Sequence, residues 1–166
     1  EVAKLAHAAG MRVIATRASG RTGPDYVSYV GLPHELLKLA GEADVVVNTA
    51  PLTPQTTGVF DAEFFAKMKP TAYFINVGRG KSVVTSALVE ALSSGTIAGA
   101  GLDVTDPEPL PAEHPLWRAP NLIVTPHVAN DSDLGFGAQA DVIKENTRRY
   151  VAGERMLSVV DVARGY

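Results

Sequence analysis

From residue 11 onward, short β-branched or apolar runs alternate with helical stretches, and this alternation constrains the fold more than any other feature. Residues 11–16 (MRVIAT), 44–48 (DVVVN), 71–76 (TAYFIN), 97–104 (IAGAGLDV) and 122–124 (LIV) read as strands. Residues 33–41, 61–68, 84–94 and 133–152 read as helices, with Pro33 in a first turn and Asp61 as an N-cap. Gly95 and Gly153 end the last two. Strands alternating with helices specify right-handed βαβ units and a parallel sheet covered on both faces. The unbroken apolarity of DVVVN also points to burial from both sides. The expected fold is a doubly wound, Rossmann-like α/β sheet, with 17–31, 49–57, 77–82 and 105–120 as loops.

Composition narrows the class. A chain of 166 residues can build a core without covalent staples, and it holds no cysteine, which excludes disulfides, thiolate metal sites and thiol catalysis. Fifteen Lys and Arg against eighteen Asp and Glu, with no basic run, argue against a nucleic-acid or anionic-membrane surface. No apolar stretch approaches the roughly 18–20 residues of a membrane span, so a cytoplasmic location is expected and no metal site is foreseen. The chain opens on Glu1-Val2-Ala3-Lys4-Leu5-Ala6, which reads as a helix already under way, with Val2, Leu5, Ala6 and Ala9 on one face and Gly10 as its cap. A piece of a longer protein is expected.

Ligands of open α/β sheets bind beyond the carboxyl ends of the strands. The residues there are Arg17, then Thr49-Ala50-Pro51, then Val77-Gly78-Arg79-Gly80, then Asp106-Pro107-Glu108-Pro109, and finally Thr125-Pro126-His127. Each has a bland reading as a paired surface arginine, a solvated glutamate or a packed histidine. Together, Arg79, Glu108 and His127 place a cation, a carboxylate and an imidazole on one edge, about one βα unit apart, a set able to bind an anion and move a proton. His7, His34 and His114 fit surface or capping roles. Leu110, Leu116 and Trp117 give the stretch 107–120 more apolar surface than a solvent loop needs, which, together with the resemblance described next, leads to the expectation of a homodimer.

Four ordered segments, ADVVVNTAPLTPQTTGVFD, FFAKMKPTAYFINVGRG, LVEALSSGTIAGAGLDVTDPEPLP and HPLWRAPNLIVTPHVA, carry a specific likeness. Through them the chain resembles the NAD(P)-binding domain of the D-isomer specific 2-hydroxyacid dehydrogenases. The resemblance implies hydride transfer between NAD(P)H and a small 2-oxo acid or D-2-hydroxy acid of the glyoxylate or hydroxypyruvate kind. The family's N-x-x-R-G, D-V-x-x-x-E-P and T-P-H patterns fall on Arg79, Glu108 and His127. Arg79 then anchors the substrate carboxylate, His127 exchanges the proton, and Glu108 holds the imidazole and favours its cation. Cofactor contacts carry over to Ala50 and Pro51 at the adenosine ribose, Val77 and Gly78 at the nicotinamide riboside, Asp103 at the carboxamide, and His127 to Asn130 around the nicotinamide.

The chain also departs from the family. Asn130-Asp131-Ser132 stands where a glycine is common, and Thr16-Arg17-Ala18 stands where NAD-preferring members carry an acid. Arg17 leans towards NADP. The G-x-G-x-x-G phosphate loop is absent, so the first strand, that loop and the N-terminal substrate domain are expected to lie outside this chain. Residues 1–152 then form most of the dinucleotide-binding domain and 153–166 a tail returning towards the substrate domain. The missing N-terminal half becomes an expected partner, and the edges of 11–16 and of 44–48 or its neighbour are expected to be unpaired. Alternative readings are a dinucleotide-sensing, corepressor-like binding protein and an inactive fragment of the enzyme.

Overall fold

Helix α1 (Val2–Ala8) opens the chain and ends in a Schellman arrangement: Gly10 N donates to His7 O at 2.9 Å and Met11 N to Ala6 O at 3.0 Å. Gly10 sits at φ 83°, where a side chain would be strained. In the computed structural model, which describes residues 1–129 and 133–162, strands β1 (Ile14–Thr16) and β2 (Tyr29–Gly31) then pair in parallel, Ile14 opposite Tyr29. A tight turn at Pro33–Glu35 leads into α2 (Leu36–Glu42). From there β3 (Val45–Asn48), α3 (Ala62–Lys67), β4 (Tyr73–Asn76), α4 (Thr85–Ser93), β5 (Gly99–Leu102) and β6 (Leu122–Val124) follow, and α5 (Asp133–Val151) comes last. Strands β3 to β6 form one parallel sheet in chain order, with Val45, Tyr73 and Gly99 in one row. Parallel strands joined by helices make this a Rossmann-like α/β fold, as the alternation implies.

The core lies between the four-stranded sheet and helices α2 to α4. Phe74 projects from β4 and meets Phe60, Phe64 and Phe65 with ring centroids 5.0, 6.0 and 5.3 Å away. Edge-on packing of this kind adds about 0.5–1.5 kcal/mol per pair beyond the area buried. Leu88 and Leu92 of α4, with Ile97, Leu102 and Leu116, close the cluster. Helix α3 starts where Asp61 Oδ1 accepts from Phe64 N at 2.9 Å, the N-cap its sequence suggests.

Several expectations are corrected. The stretch 17–31 is not wholly loop, because Tyr29–Gly31 is β2; a three-residue strand framed by Gly, Ser and Pro shows no periodicity of its own. Strands β1, β3, β4 and β5 are shorter than the expected runs 11–16, 44–48, 71–76 and 97–104, whereas β6 coincides with 122–124. Val45, Tyr73 and Ile123 are 47%, 50% and 70% exposed, so the sheet is covered on one face only among the described residues. Branched apolar runs suit a strand with one covered face as well as one with two. Helix α1 buries none of its side chains, and Leu5 is exposed. Within 107–120, Leu116 belongs to the core and Leu110 packs against it, which leaves Trp117 as the exposed large apolar side chain. Beyond its pairing with β2, β1 has a second edge with no partner strand among the described residues, and so has β3 beyond its pairing with β4.

Candidate active site

Strands β3 and β4 both end in a buried asparagine, Asn48 opposite Asn76 in register. Parallel strands end level with one another, so the free carbonyls and amides of the following loops gather there and need partners. Asn48 Nδ2 donates to Asn76 Oδ1 and to Ser82 Oγ, each at 2.9 Å. Its Oδ1 accepts from Ala50 N at 3.0 Å. Asn76 Oδ1 accepts from Gly78 N at 3.0 Å, and its Nδ2 donates to Arg79 O at 3.1 Å. Ser82 Oγ donates to the same carbonyl at 2.6 Å.

The loop that carries Arg79 is packed too closely for side chains on either flank. A Cβ on Gly78 would meet Ala50 O at 2.9 Å, and one on Gly80 would meet Thr105 O at 1.8 Å. Arg79 itself is exposed. One of its terminal nitrogens donates to Gly78 O at 2.7 Å, and among the described residues no carboxylate pairs with it. Most of its five donors remain for an anion.

Strand β5 runs into Asp103, which is 7% exposed. Its Oδ1 accepts from Thr125 Oγ1 at 2.6 Å and Val128 N at 2.9 Å, and its Oδ2 accepts from Ala129 N at 2.9 Å. Burial works to raise its pKa, but the Thr125 hydroxyl, the Ala129 and Val128 amides and the charge of His127 together hold the carboxyl below its ordinary value. Those bonds lock a turn in which His127 takes φ 56°, a left-handed conformation costly for a residue with a Cβ. The imidazole faces Glu108, with Nδ1 to Oε1 at 2.6 Å and both side chains about two-fifths exposed (43% and 39%). A carboxylate only accepts, so the hydrogen sits on Nδ1 and Nε2 is the nitrogen left for a ligand.

The structure thus joins Glu108 to His127, while Arg79 makes no bond to either; the segment that follows it meets the 105–108 loop where Gly80 abuts Thr105 and where Thr85 Oγ1 donates to Asp106 O at 3.0 Å. Arg17 lies exposed at the end of β1, with Nε on Ser19 Oγ at 3.0 Å and Nη1 on Thr22 O at 2.7 Å. Nearby, Glu35 takes the Tyr29 hydroxyl, Leu32 N and, at 2.6 Å, Arg21, which draw its pKa from 4.5 to about 2 and pin the loop before β2. Ala50, Pro51 and Val77 are exposed at the same sheet edge, and Gly78 is buried. Asn130 lies outside the described residues. His114 Nδ1 accepts from Leu116 N at 3.2 Å, a capping role; His34 is exposed, and His7 lies against the Tyr26 ring.

Asn48, Asn76 and Ser82 were not singled out by sequence reasoning, and Thr125 was named only as a strand-end residue, not as a partner of Asp103. The readable signal is that each asparagine closes an apolar run where a loop begins. Among the described residues no group of three metal-ligating side chains occurs, and no helix is long and apolar enough to cross a membrane.

Residues 1–129 match the family described as D-isomer specific 2-hydroxyacid dehydrogenase, NAD binding domain. The chain belongs to that family. The mouse glyoxylate reductase/hydroxypyruvate reductase is 50% identical over 123 residues, which make up 74% of this chain and 38% of that protein. The glyoxylate/hydroxypyruvate reductase A of Photorhabdus laumondii is 43% identical over 124 residues, again 74% of this chain and 38% of its own length. The NADPH-dependent glyoxylate/hydroxypyruvate reductase of Sinorhizobium meliloti, solved with NADP and sulfate, superposes with a TM-score of 0.85 at 37% identity, covering 99% of this chain and 52% of that one. The chain spans well under two thirds of the length of these relatives.

Proposed function

We propose that the protein containing this chain reduces a small 2-oxo acid of the glyoxylate or hydroxypyruvate kind to its D-2-hydroxy acid, with NADPH preferred over NADH. The observation that carries this reading is the 2.6 Å Glu108–His127 pair, on the same carboxyl edge of a Rossmann-like sheet as an exposed Arg79.

The residues along that edge suit the two ends of a dinucleotide. Arg17 offers a guanidinium to a ribose 2′-phosphate, Ala50 and Pro51 flank the adenosine side, and Val77, Gly78 and the 127–130 turn flank the nicotinamide side. Asp103, with one hydrogen bond on Oδ2, retains a lone pair for the carboxamide. The nicotinamide, when bound, supplies the hydride. Arg79 anchors the substrate carboxylate through its planar fork, which fixes the carbonyl carbon in place. Nε2 of His127 donates its proton to the carbonyl oxygen during reduction and takes it back in the reverse direction. Glu108 holds the ring through Nδ1 and fixes the tautomer that leaves Nε2 facing the substrate.

The test is NADPH oxidation by the full-length protein with glyoxylate and hydroxypyruvate, repeated with NADH and with Arg17→Asp. Removing a charge-assisted contact to the 2′-phosphate is expected to lower kcat/KM for NADPH by about ten- to hundredfold and to leave NADH turnover far less affected. No turnover of either acid with either cofactor defeats the reading. A wild-type preference for NADH defeats its NADP part.

A further inference from the structure

We propose that Ser82, with Asn48 and Asn76, is a positioning residue for Arg79: the three side chains fix the main chain from which the substrate-anchoring guanidinium projects. The inference rests on the reading of Arg79 as the carboxylate anchor.

The three side chains are 2%, 3% and 0% exposed, so none of them is placed to touch substrate or cofactor. Their hydrogen bonds run in one determined direction. Asn48 Oδ1 faces the Ala50 amide, which can only donate, so its Nδ2 must be the atom facing Asn76 and Ser82. The Gly78 amide orients Asn76 in the same way, which leaves Asn76 Nδ2 to donate to Arg79 O. Because Ser82 Oγ already accepts from Asn48, its single hydrogen is free for Arg79 O, at 2.6 Å. The Arg79 carbonyl therefore receives two buried donors, and the residue before Arg79 is held by its amide.

Glycines at 78 and 80 let the neighbouring segments close on the loop from both sides, so a shift of its backbone has little room to relax locally. The same network carries the Ala50 amide, which hangs the start of the 50–57 loop on the bracket that holds Arg79. A bracket that only stabilised the fold would show in melting temperature alone. One that aims Arg79 shows in the binding of the carboxylate.

Ser82→Ala separates the two. It removes one hydroxyl with little change in volume and leaves Arg79 O with Asn76 Nδ2 and Asn48 Nδ2 with Asn76 Oδ1, so every group in the network keeps a partner. In the full-length protein, KM for glyoxylate is expected to rise about five- to tenfold, the equivalent of one lost buried hydrogen bond, with KM for NADPH unchanged. In an Arg79→Lys background the same substitution is expected to add no further rise, because its effect passes through the guanidinium. An unchanged glyoxylate KM in Ser82→Ala overturns the proposal, as does an equal rise in both backgrounds. A wild-type glyoxylate KM in Arg79→Lys alone instead defeats the anchor reading, and the positioning role falls with it.

Discussion

Arg79 and His127 stand on supports of different chemistry. The Arg79 loop is held by three neutral buried side chains, Asn48, Asn76 and Ser82, and by two close glycine contacts. The His127 turn is held by one buried carboxylate, Asp103, which collects three hydrogen bonds. A neutral network keeps its strength across pH. A carboxylate clamp depends on its charge, and it adds a negative potential beside the imidazole that a neutral network would not. The Arg79 loop is thus held alike across pH, whereas the His127 turn is held by an element that responds to pH.

The largest effect is expected from breaking the glycine contact at the first support. In Gly80→Ala the new Cβ would lie 1.8 Å from Thr105 O, backbone that cannot swing aside. The loop must move as a whole, at a cost of about 3 kcal/mol or more in urea denaturation. Asp103→Asn attacks the second support. The amide cannot accept from all three donors, and about 2 kcal/mol is expected to be lost near neutrality.

The pH dependence gives this second change a sharper signature. The Asp103 carboxyl is held below its ordinary value, so the stability it contributes is complete above the ordinary carboxylate range and drains away as pH falls through the lowered one. Glu35, drawn from 4.5 to about 2, behaves in the same direction. Amide exchange at Val128 and Ala129 is therefore expected to accelerate, relative to Gly78, as the solution is acidified. Asp103→Asn is expected to abolish that difference.

The smallest effect concerns the exit of the Arg79 loop. Val84 occupies the N-cap of α4 in extended backbone (φ −76°, ψ 97°) and offers no side-chain acceptor. Val84→Asp is expected to add about 1 kcal/mol of stability without altering kcat/KM. A gain in activity there would mean that the loop is less firmly held than its hydrogen bonds indicate.

Much of this architecture was legible in the chain, for definite physical reasons. Strands β3 to β6 announce themselves because each is a run of apolar or small residues followed by a turn, and Asp61 marks the start of α3 because a short acidic side chain can satisfy its first amides. Strand β2 was not legible, since Tyr29-Val30-Gly31 pairs through backbone and offers no period to read. Which sheet face is covered was not legible either, because Val45 and Val46 look alike in sequence and differ only in what packs on them. At the site, Arg79, Glu108 and His127 were accessible from their place after strand ends. Besides the cofactor contact expected of it, Asp103 makes three bonds to the turn around His127, and that part was not legible because it depends on a left-handed backbone no linear pattern displays. The asparagine bracket escaped notice because its members face one another across the sheet rather than along the chain.

The central claim is that His127, held by Glu108, moves the proton of a 2-oxo acid reduction. Its most direct measurement is kcat/KM for glyoxylate with NADPH in the full-length His127→Gln protein, with the dissociation constant for NADPH taken alongside. Glutamine retains a polar group but cannot shuttle a proton, so kcat/KM is expected to fall by about a hundred- to ten-thousandfold while NADPH binding holds. Activity within a few-fold of wild type would contradict the account.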